Sequence, residues 1–295
     1  MAPQEQESYA LVYQELSERF YKIRKDTPEL ICKDLIAFLQ DAAKKHHCFH
    51  HFTSFDALKQ ILKNRRWKFG SALKCNDLQE INEKGDCSLW PCIFSLSFSH
   101  GDEDNMGMWN MYGDNKNKAK KVCITIDQET LFRWKEQIEN GSISCYWYPA
   151  KNKLIKMTES NRKVLLHDIV YAYGYQNSSF SVLHWGNNVL ALNGGKDILN
   201  PSEYKELTGF IKNSAWEYEQ ETRLSLLIGK VETGKDVFVE VPDYVLQNMR
   251  LRVGPYFTPP SLQSQLQDEL GEFSNDCRNA IIGNIDLSYF NGRIN

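Results

Sequence analysis

Trp216-Glu217-Tyr218-Glu219-Gln220-Glu221-Thr222-Arg223 runs without a break into the apolar segment Leu224-Ser225-Leu226-Leu227-Ile228. Read as a strand, the spacing puts Glu219, Glu221 and Arg223 on one face and Leu224, Leu226 and Ile228 on the other. Same-face neighbours then sit roughly 6–7 Å apart. Two carboxylates and a guanidinium at a strand entrance are costly to bury unless they pair. The polar face is therefore either a structural ladder or the edge of an active site, and the apolar face calls for a core beneath it.

The rest of the chain can supply that core. Its 295 residues are 42% hydrophobic and 25% charged, ordinary for a soluble globular protein and enough for one large domain or two small ones. A net charge of -3 gives no global basic field for nucleic acid, and the basic run Lys116-Asn117-Lys118-Ala119-Lys120-Lys121 reads as a solvated loop. The acidic N-terminus is unlike a secretory signal, and no apolar run approaches the ~20 residues of a membrane span. Eight cysteines are scattered without a Cys-x-x-Cys pair, so reduced thiols, mostly buried, and a cytoplasmic location are expected.

Periodicity changes near residue 46. Residues 8–45 read as two helices, the second opened by Thr27 as N-cap and Pro28 at the first helical position. They form either an N-terminal helical segment (1–46) or a brace on the domain that follows (47–295). From there the pattern predicts strands at 49–53, 67–69, 93–99, 122–126, 144–148, 169–175, 222–228, 237–241, 251–253 and 280–285. Helices are expected at 54–63, near Met108, from Pro201 and over 260–270, with a flexible loop at Asn193-Gly194-Gly195-Lys196-Asp197. Without regular βαβ alternation, the fold class is α+β with a mixed sheet.

Nucleotide-binding glycine motifs and a hydrolase elbow are missing. His46-His47-Cys48-Phe49-His50-His51 is rich in ligand atoms, but on a strand they alternate faces and no spaced partner follows, so metal binding is not expected. Other residues carry more in combination. His51 and Thr53 share a strand face, with Thr53 or Ser54 able to cap the next helix. Asn76-Asp77 lies in a polar loop. Ser95, Ser97 and Ser99 line one face of a strand, and Trp109 and Tyr112 can meet on one side of a short helix.

Taken in order, His51-Phe52-Thr53, Asn76-Asp77, Ser97-Phe98-Ser99, Met108-Trp109 with Tyr112, Trp216 to Arg223 and Gly254-Pro255 resemble a bacterial family catalogued as a domain of unknown function (number 2971), from about His51 to the C-terminus. The opening segment also resembles DarT-like ADP-ribosyltransferases. That resemblance implies a split-sheet core and an NAD site. His51 and Thr53 would hold ribose hydroxyls, Tyr112 or Trp109 would stack on nicotinamide, and Glu219 or Glu221 would be the catalytic carboxylate. Asn76, Ser97 and Arg223 complete the NAD-contacting set.

Such chemistry suits these residue types. Cleavage of the ribose–nicotinamide bond passes through an oxocarbenium-like state, which a strand-borne carboxylate stabilises. An adjacent Arg keeps the carboxylate ionised or clamps a phosphate. The reading is an NAD-consuming enzyme, a bacterial toxin or phage-defence effector, with an acceptor left open among protein, nucleic acid and water. Two alternatives stand beside it: a metal-dependent nuclease using Asp77, Glu219 and Glu221, and a non-enzymatic nucleotide-sensing or partner-binding module in which the Glu–Glu–Arg set is a surface ladder.

Overall fold

A computed structural model describes residues 3–74, 92–112, 120–147, 155–157, 162–173, 182–192, 205–207, 209–228, 236–255, 264, 266, 270–271 and 273–290. Two helices, α1 (Pro3–Tyr21) and α2 (Pro28–Ala43), lead into β1 (Cys48–Ser54), α3 (Phe55–Asn64) and β2 (Arg66–Ser71). Next come β3 (Ile93–Ser99), α4 (Met106–Met111), β4 (Lys121–Asp127), α5 (Gln128–Glu139), β5 (Cys145–Trp147) and β6 (Ile155–Lys156). The strands β7 (Lys163–Asp168), β8 (Val170–Tyr173), β9 (Val182–Trp185), β10 (Asn188–Ala191) and β11 (Ile211–Asn213) follow. A 3-10 turn, Ser214–Glu219, then feeds β12 (Glu221–Leu227), β13 (Val237–Glu240), α6 (Asp243–Asn248), β14 (Arg250–Val253), α7 (Asn275–Gly283) and β15 (Ile285–Leu287). The class is mixed α+β, as the irregular order of elements predicts.

The large sheet branches at β3. Along one edge, β12 pairs antiparallel with the full length of β3, from Glu221 opposite Ser99 to Leu227 opposite Ile93. The other edge is shared: β1 joins only at Ser99, through His50, whereas β2 joins through Gly70 and Ser71 at Ser95 and Phe94. β1 and β2 therefore diverge from opposite ends of one strand edge and leave a cleft between them. β4 and β14 continue the sheet beyond β1, and β13 and β5 continue it beyond β2.

Alternation in β12 works as the sequence predicts. Leu224 and Leu226 are fully buried and pack with Phe94, Leu96, Val164 and Leu166 in the main core, under α3 and α5. A second sheet, β10-β9-β8-β11, packs its apolar face against the N-terminal helices. Leu16, Phe20, Leu35, Phe38 and Leu39 share this smaller core with Val170, Leu183, Trp185 and Leu190. Phe38 meets Trp185 edge-on, their ring centroids 5.0 Å apart, an arrangement aromatic quadrupoles favour. The helices are thus a brace that shares a core with the second sheet.

Local signals account for the helix starts. The Thr27 hydroxyl accepts from the Leu30 amide at 3.4 Å with Pro28 opening α2, and Ser54 rather than Thr53 caps α3, accepting from Ala57 N at 3.1 Å. The strand expected at 280–285 is instead mostly α7, capped by Ser274, with a short strand only from Ile285. There Ile281 and Cys277, four apart, are buried at helical spacing. Lys121, expected in a solvated run, is buried with its ammonium donating to the carbonyls of Trp109 and Asn110. Residues 116–119, the 193–197 loop and most of the helices expected from Pro201 and over 260–270 lie outside the described residues. The six described cysteines are free thiols, four of them buried.

Two outcomes follow for stability. Phe20→Ala removes a fully buried ring from the second core and should cost about 3–5 kcal/mol in denaturant unfolding. His50 is buried against the Thr125 hydroxyl at 2.9 Å, and burial lowers its pKa from 6.5 to about 4, with Arg250, Arg252, Asp102 and His100 the other groups acting on it. Its folded pKa lies below the unfolded value, so the unfolded chain takes up the proton first as pH falls through 6.5. Stability contributed by neutral His50 should decline by about 2 kcal/mol between pH 7 and pH 5. A His50→Gln variant should show a flatter profile of melting temperature across that interval.

Candidate functional site

Cross-strand pairing assembles the polar face from three strands. Ser99, Ser97 and Ser95 of β3 stand opposite Glu221, Arg223 and Ser225 of β12, and directly opposed residues project to the same side. His167 of β7 stands beside Arg223 on the far side. The hydroxyls of Ser95 and Ser225 bond at 2.9 Å, and His167 Nε2 reaches Ser225 Oγ at the same distance. The serine face of β3 and the charged face of β12 are therefore one surface.

Glu219 arrives differently from the strand reading. It is the last residue of the 3-10 turn, and Gln220 adopts a left-handed conformation (φ 43°) before β12 begins at Glu221. Backbone alternation does not bring the two carboxylates together; Lys212 of β11 does. Its Nζ lies 2.5 Å from Glu219 Oε2 and 3.1 Å from Glu221 Oε2, with side-chain exposure of 5% or less for all three. Lys212 also stands over the Trp216 ring, 4.8 Å from its centroid. Arg223 grips Glu221 with two bonds, Nε to Oε1 at 2.7 Å and Nη2 to Oε2 at 3.0 Å, while Nη1 donates to the Gly209 carbonyl. Because the whole set is buried, a surface ladder is excluded.

Environment separates the two acids. Burial works against ionising both. At Glu221, Arg223 and Lys212 overcome it and hold the carboxyl well below the usual carboxylate range. At Glu219, burial and the neighbouring Glu221 charge win and the pKa rises. Adjacent titratable groups pushed in opposite directions are how protein sites divide electrostatic and proton-handling roles. The Tyr112 hydroxyl donates to Glu219 Oε1, and burial together with that carboxylate raises the tyrosine pKa.

Cavities link these groups to the split in the sheet. A cleft of about 870 Å³ between β1 and β2 is lined by His51, Thr53, Trp67, Ser97 and Tyr112, a volume suited to a small-molecule ligand. It shares Ser97 and Tyr112 with a 220 Å³ pocket bearing Lys212, Glu221 and Arg223, and with a 60 Å³ pocket bearing His51, Glu219 and Glu221. His51 Nδ1 donates to the Ser97 carbonyl at 2.8 Å, and burial lowers the ring's pKa. The neutral imidazole thus holds its proton on Nδ1 and keeps Nε2 as an acceptor. His51, Thr53, Ser97, Tyr112, Glu219, Glu221 and Arg223 therefore line three neighbouring pockets that share Ser97 and Tyr112.

Two members of the expected set fall elsewhere. Trp109 is 1% exposed, packed edge-on against Phe52 and donating from Nε1 to Asp104. It is a core residue, so of the two aromatics only Tyr112 faces the cleft. Asn76 lies outside the described residues. Gly254 belongs with Trp109: a Cβ there would stand 3.2 Å from Lys121 and 3.3 Å from the indole, so close packing explains its glycine. Lys212 is the functional residue the sequence reading missed. Its signal was a lone cation within the apolar stretch Phe210-Ile211, just upstream of two glutamates.

Residues 108–224 match the model of a family described as Protein of unknown function (DUF2971). The matched stretch opens on Met108-Trp109 and Tyr112 and closes on Glu219, Glu221 and Arg223, so it contains the charged residues Lys212, Glu221 and Arg223 of that pocket. The motifs around His51, Ser97 and Gly254 lie outside it. No curated protein and no solved structure matched the chain.

Removing the shared cation should expose the like charges. Lys212→Met is expected to destabilise the fold by about 3–5 kcal/mol, as when one partner of a buried pair is deleted. Adding Glu219→Gln should restore much of the loss. Urea unfolding of the single and double variants measures the coupling; purely additive effects would contradict a shared network.

Proposed function

We propose that the chain is an NAD-consuming ADP-ribosyltransferase or NAD glycohydrolase, the activity that the DarT-like resemblance implies. The observation carrying this reading is the convergence of His51, Tyr112 and the ionised Glu221 on one pocket beside the large cleft, from β1, the end of α4 and β12 respectively. Those residue types match the needs of glycosidic cleavage at the nicotinamide ribose, and the divergence of β1 and β2 gives the cleft a split-sheet floor.

In the proposed reaction the bond between ribose C1′ and the nicotinamide nitrogen breaks, and its electron pair leaves with nicotinamide. Positive charge develops on the ribose ring. Glu221, held ionised by Arg223 and Lys212, stabilises that charge from a fixed position; such preorganised electrostatics are commonly the largest catalytic contribution. The acceptor, an alcohol, amine or water, bonds to C1′ and loses its proton. His51 Nε2 and the Thr53 hydroxyl are suited to hold ribose hydroxyls, and Tyr112 to pack against the nicotinamide ring. The bidentate contact of Arg223 with Glu221 favours the role of neutraliser over phosphate clamp. A nuclease would need a metal to compete with both cations for these carboxylates. The biological setting we propose is a bacterial toxin or phage-defence effector.

The test is incubation with NAD, with nicotinamide release followed by chromatography in the presence of cell extract as a source of acceptors. Glu221→Gln should lower the rate by about 10²–10³, the usual cost of deleting one well-placed electrostatic group; because it also leaves Arg223 and Lys212 buried without their shared carboxylate, it should lower the melting temperature too, and the rates are compared at a temperature where circular dichroism shows both proteins folded. Tyr112→Ala should weaken the NAD-induced rise in melting temperature. NAD binding without nicotinamide release would instead support a nucleotide sensor, and neither effect would defeat the proposal.

A further inference from the structure

The polar face of the large sheet continues past the cleft. Gly70 stands opposite Ser95, so β2 turns Gly70, Lys68 and Arg66 to the side of the β3 serines, while Trp67 and Phe69 enter the core. Pairing carries this side outward: Phe238 of β13 opposes Lys68, Tyr146 of β5 opposes Phe238, and Lys156 of β6 opposes Tyr146. Directly opposed residues share a face, and the alternates Val237, Val239 and Cys145 are fully buried on the other. A row of cation, aromatic, aromatic and cation thus crosses four strands, a span of roughly 14 Å at the usual strand spacing. The Arg66 guanidinium lies over the Tyr146 ring, 4.4 Å from its centroid, which holds the charge beside that row.

We propose that this face binds a single-stranded polynucleotide. Arg66, Lys68, Lys74 and Lys156 gather there against two carboxylates, Glu240 opposite Arg66 and Asp236 between Lys68 and Lys74. The chain as a whole carries a net charge of -3, so the positive excess is local and draws phosphates to this side. Between the cations, the half-buried Phe238 and Tyr146 offer ring surface on which bases stack whatever their identity. Sheet faces that bear aromatics hold unpaired bases in this way. A duplex keeps its bases stacked inside and would use only the cations, and an acidic peptide would leave the rings without a partner.

Arg66, Lys68 and Phe238 also line the 870 Å³ cleft, so a strand laid along the row runs from β6 to the mouth of that cleft. Tyr146 and Lys156 stand beyond the cleft lining and report on the outer part of the row alone. Binding of the strand requires no NAD and is measured without it, so this inference and the NAD reading can fail separately.

Fluorescence anisotropy of the full-length protein with labelled DNA and RNA strands of roughly 15 nucleotides, at several salt concentrations, tests the proposal. Either single strand should bind about tenfold or more tighter than the matching duplex, with log affinity falling linearly in log salt. Tyr146→Ser should weaken binding about tenfold, a typical loss for one stacked base, and Tyr146→Phe should restore it. Lys156→Gln should reduce the salt slope by about 0.7, one phosphate contact on a single strand, whereas Lys22→Gln on α1 should change neither quantity. Circular dichroism establishes that the variants are folded; should Tyr146→Ser fail to fold, the slope of the exposed Lys156 variant decides. Absence of binding to both DNA and RNA strands overturns the proposal. So do equal affinity for duplex, displacement by inorganic polyphosphate as readily as by unlabelled strand, and a wild-type salt slope in Lys156→Gln.

Discussion

Lys212 is the group on which the arrangement of this protein depends. Its ammonium lies between two carboxylates that would otherwise repel each other out of water, and it does so from the second sheet while Glu221 belongs to the first. Burying any one of these charges alone would be prohibitive, and burying them together is feasible only with close hydrogen bonds on every side. The demand is met by Arg223, Tyr112 and the main-chain carbonyl of Gly209. Docking of the second sheet and ionisation of the site are therefore one event. The N-terminal helices enter the same dependence, because their apolar faces hold the second sheet that carries Lys212.

A network that rigid is more than stability calls for, since buried ion pairs seldom outperform apolar packing. Its benefit is a carboxylate with a fixed position and protonation state, next to a cavity formed where one strand edge is shared by two diverging partners. Tyr112 lines all three neighbouring pockets, as does Ser97, so the same side chain borders the large cleft, the charged pocket and the small pocket that holds Glu219 and Glu221.

Much of this was legible in the chain. Strict alternation through Glu221-Thr222-Arg223-Leu224 and through Ile93 to Ser99 identified two strands, their polar faces and their apolar faces, because a period of two leaves little freedom once one face must be buried. Thr27-Pro28 marked a helix start through capping chemistry that acts over three residues. Contacts that bridge sheets were not legible. Lys212 stands out only as a lone cation beside Phe210-Ile211, which does not say that it bridges two glutamates, and nothing local announces that Trp109 turns inward to Asp104 or that Gln220 takes a positive φ and removes Glu219 from the strand. His46 looked like one of a run of four neighbouring histidines, yet its partners are His100 and Asp168, contributed by the ends of distant strands.

Strand β12 carries unrelated polar chemistry on its two sides, Glu221 and Arg223 in front and Thr222 behind, bonded to Asp168. A slip of one residue against β3 would send leucine and threonine to the front and the glutamate–arginine pair into the apolar interior. Neither side could be satisfied in that register, and no compensating shift of a neighbour would repair both. The alternation thus acts as a proofreading device during folding: each face verifies the alignment that the other requires, and misaligned chains gain neither the ion pairs nor the core.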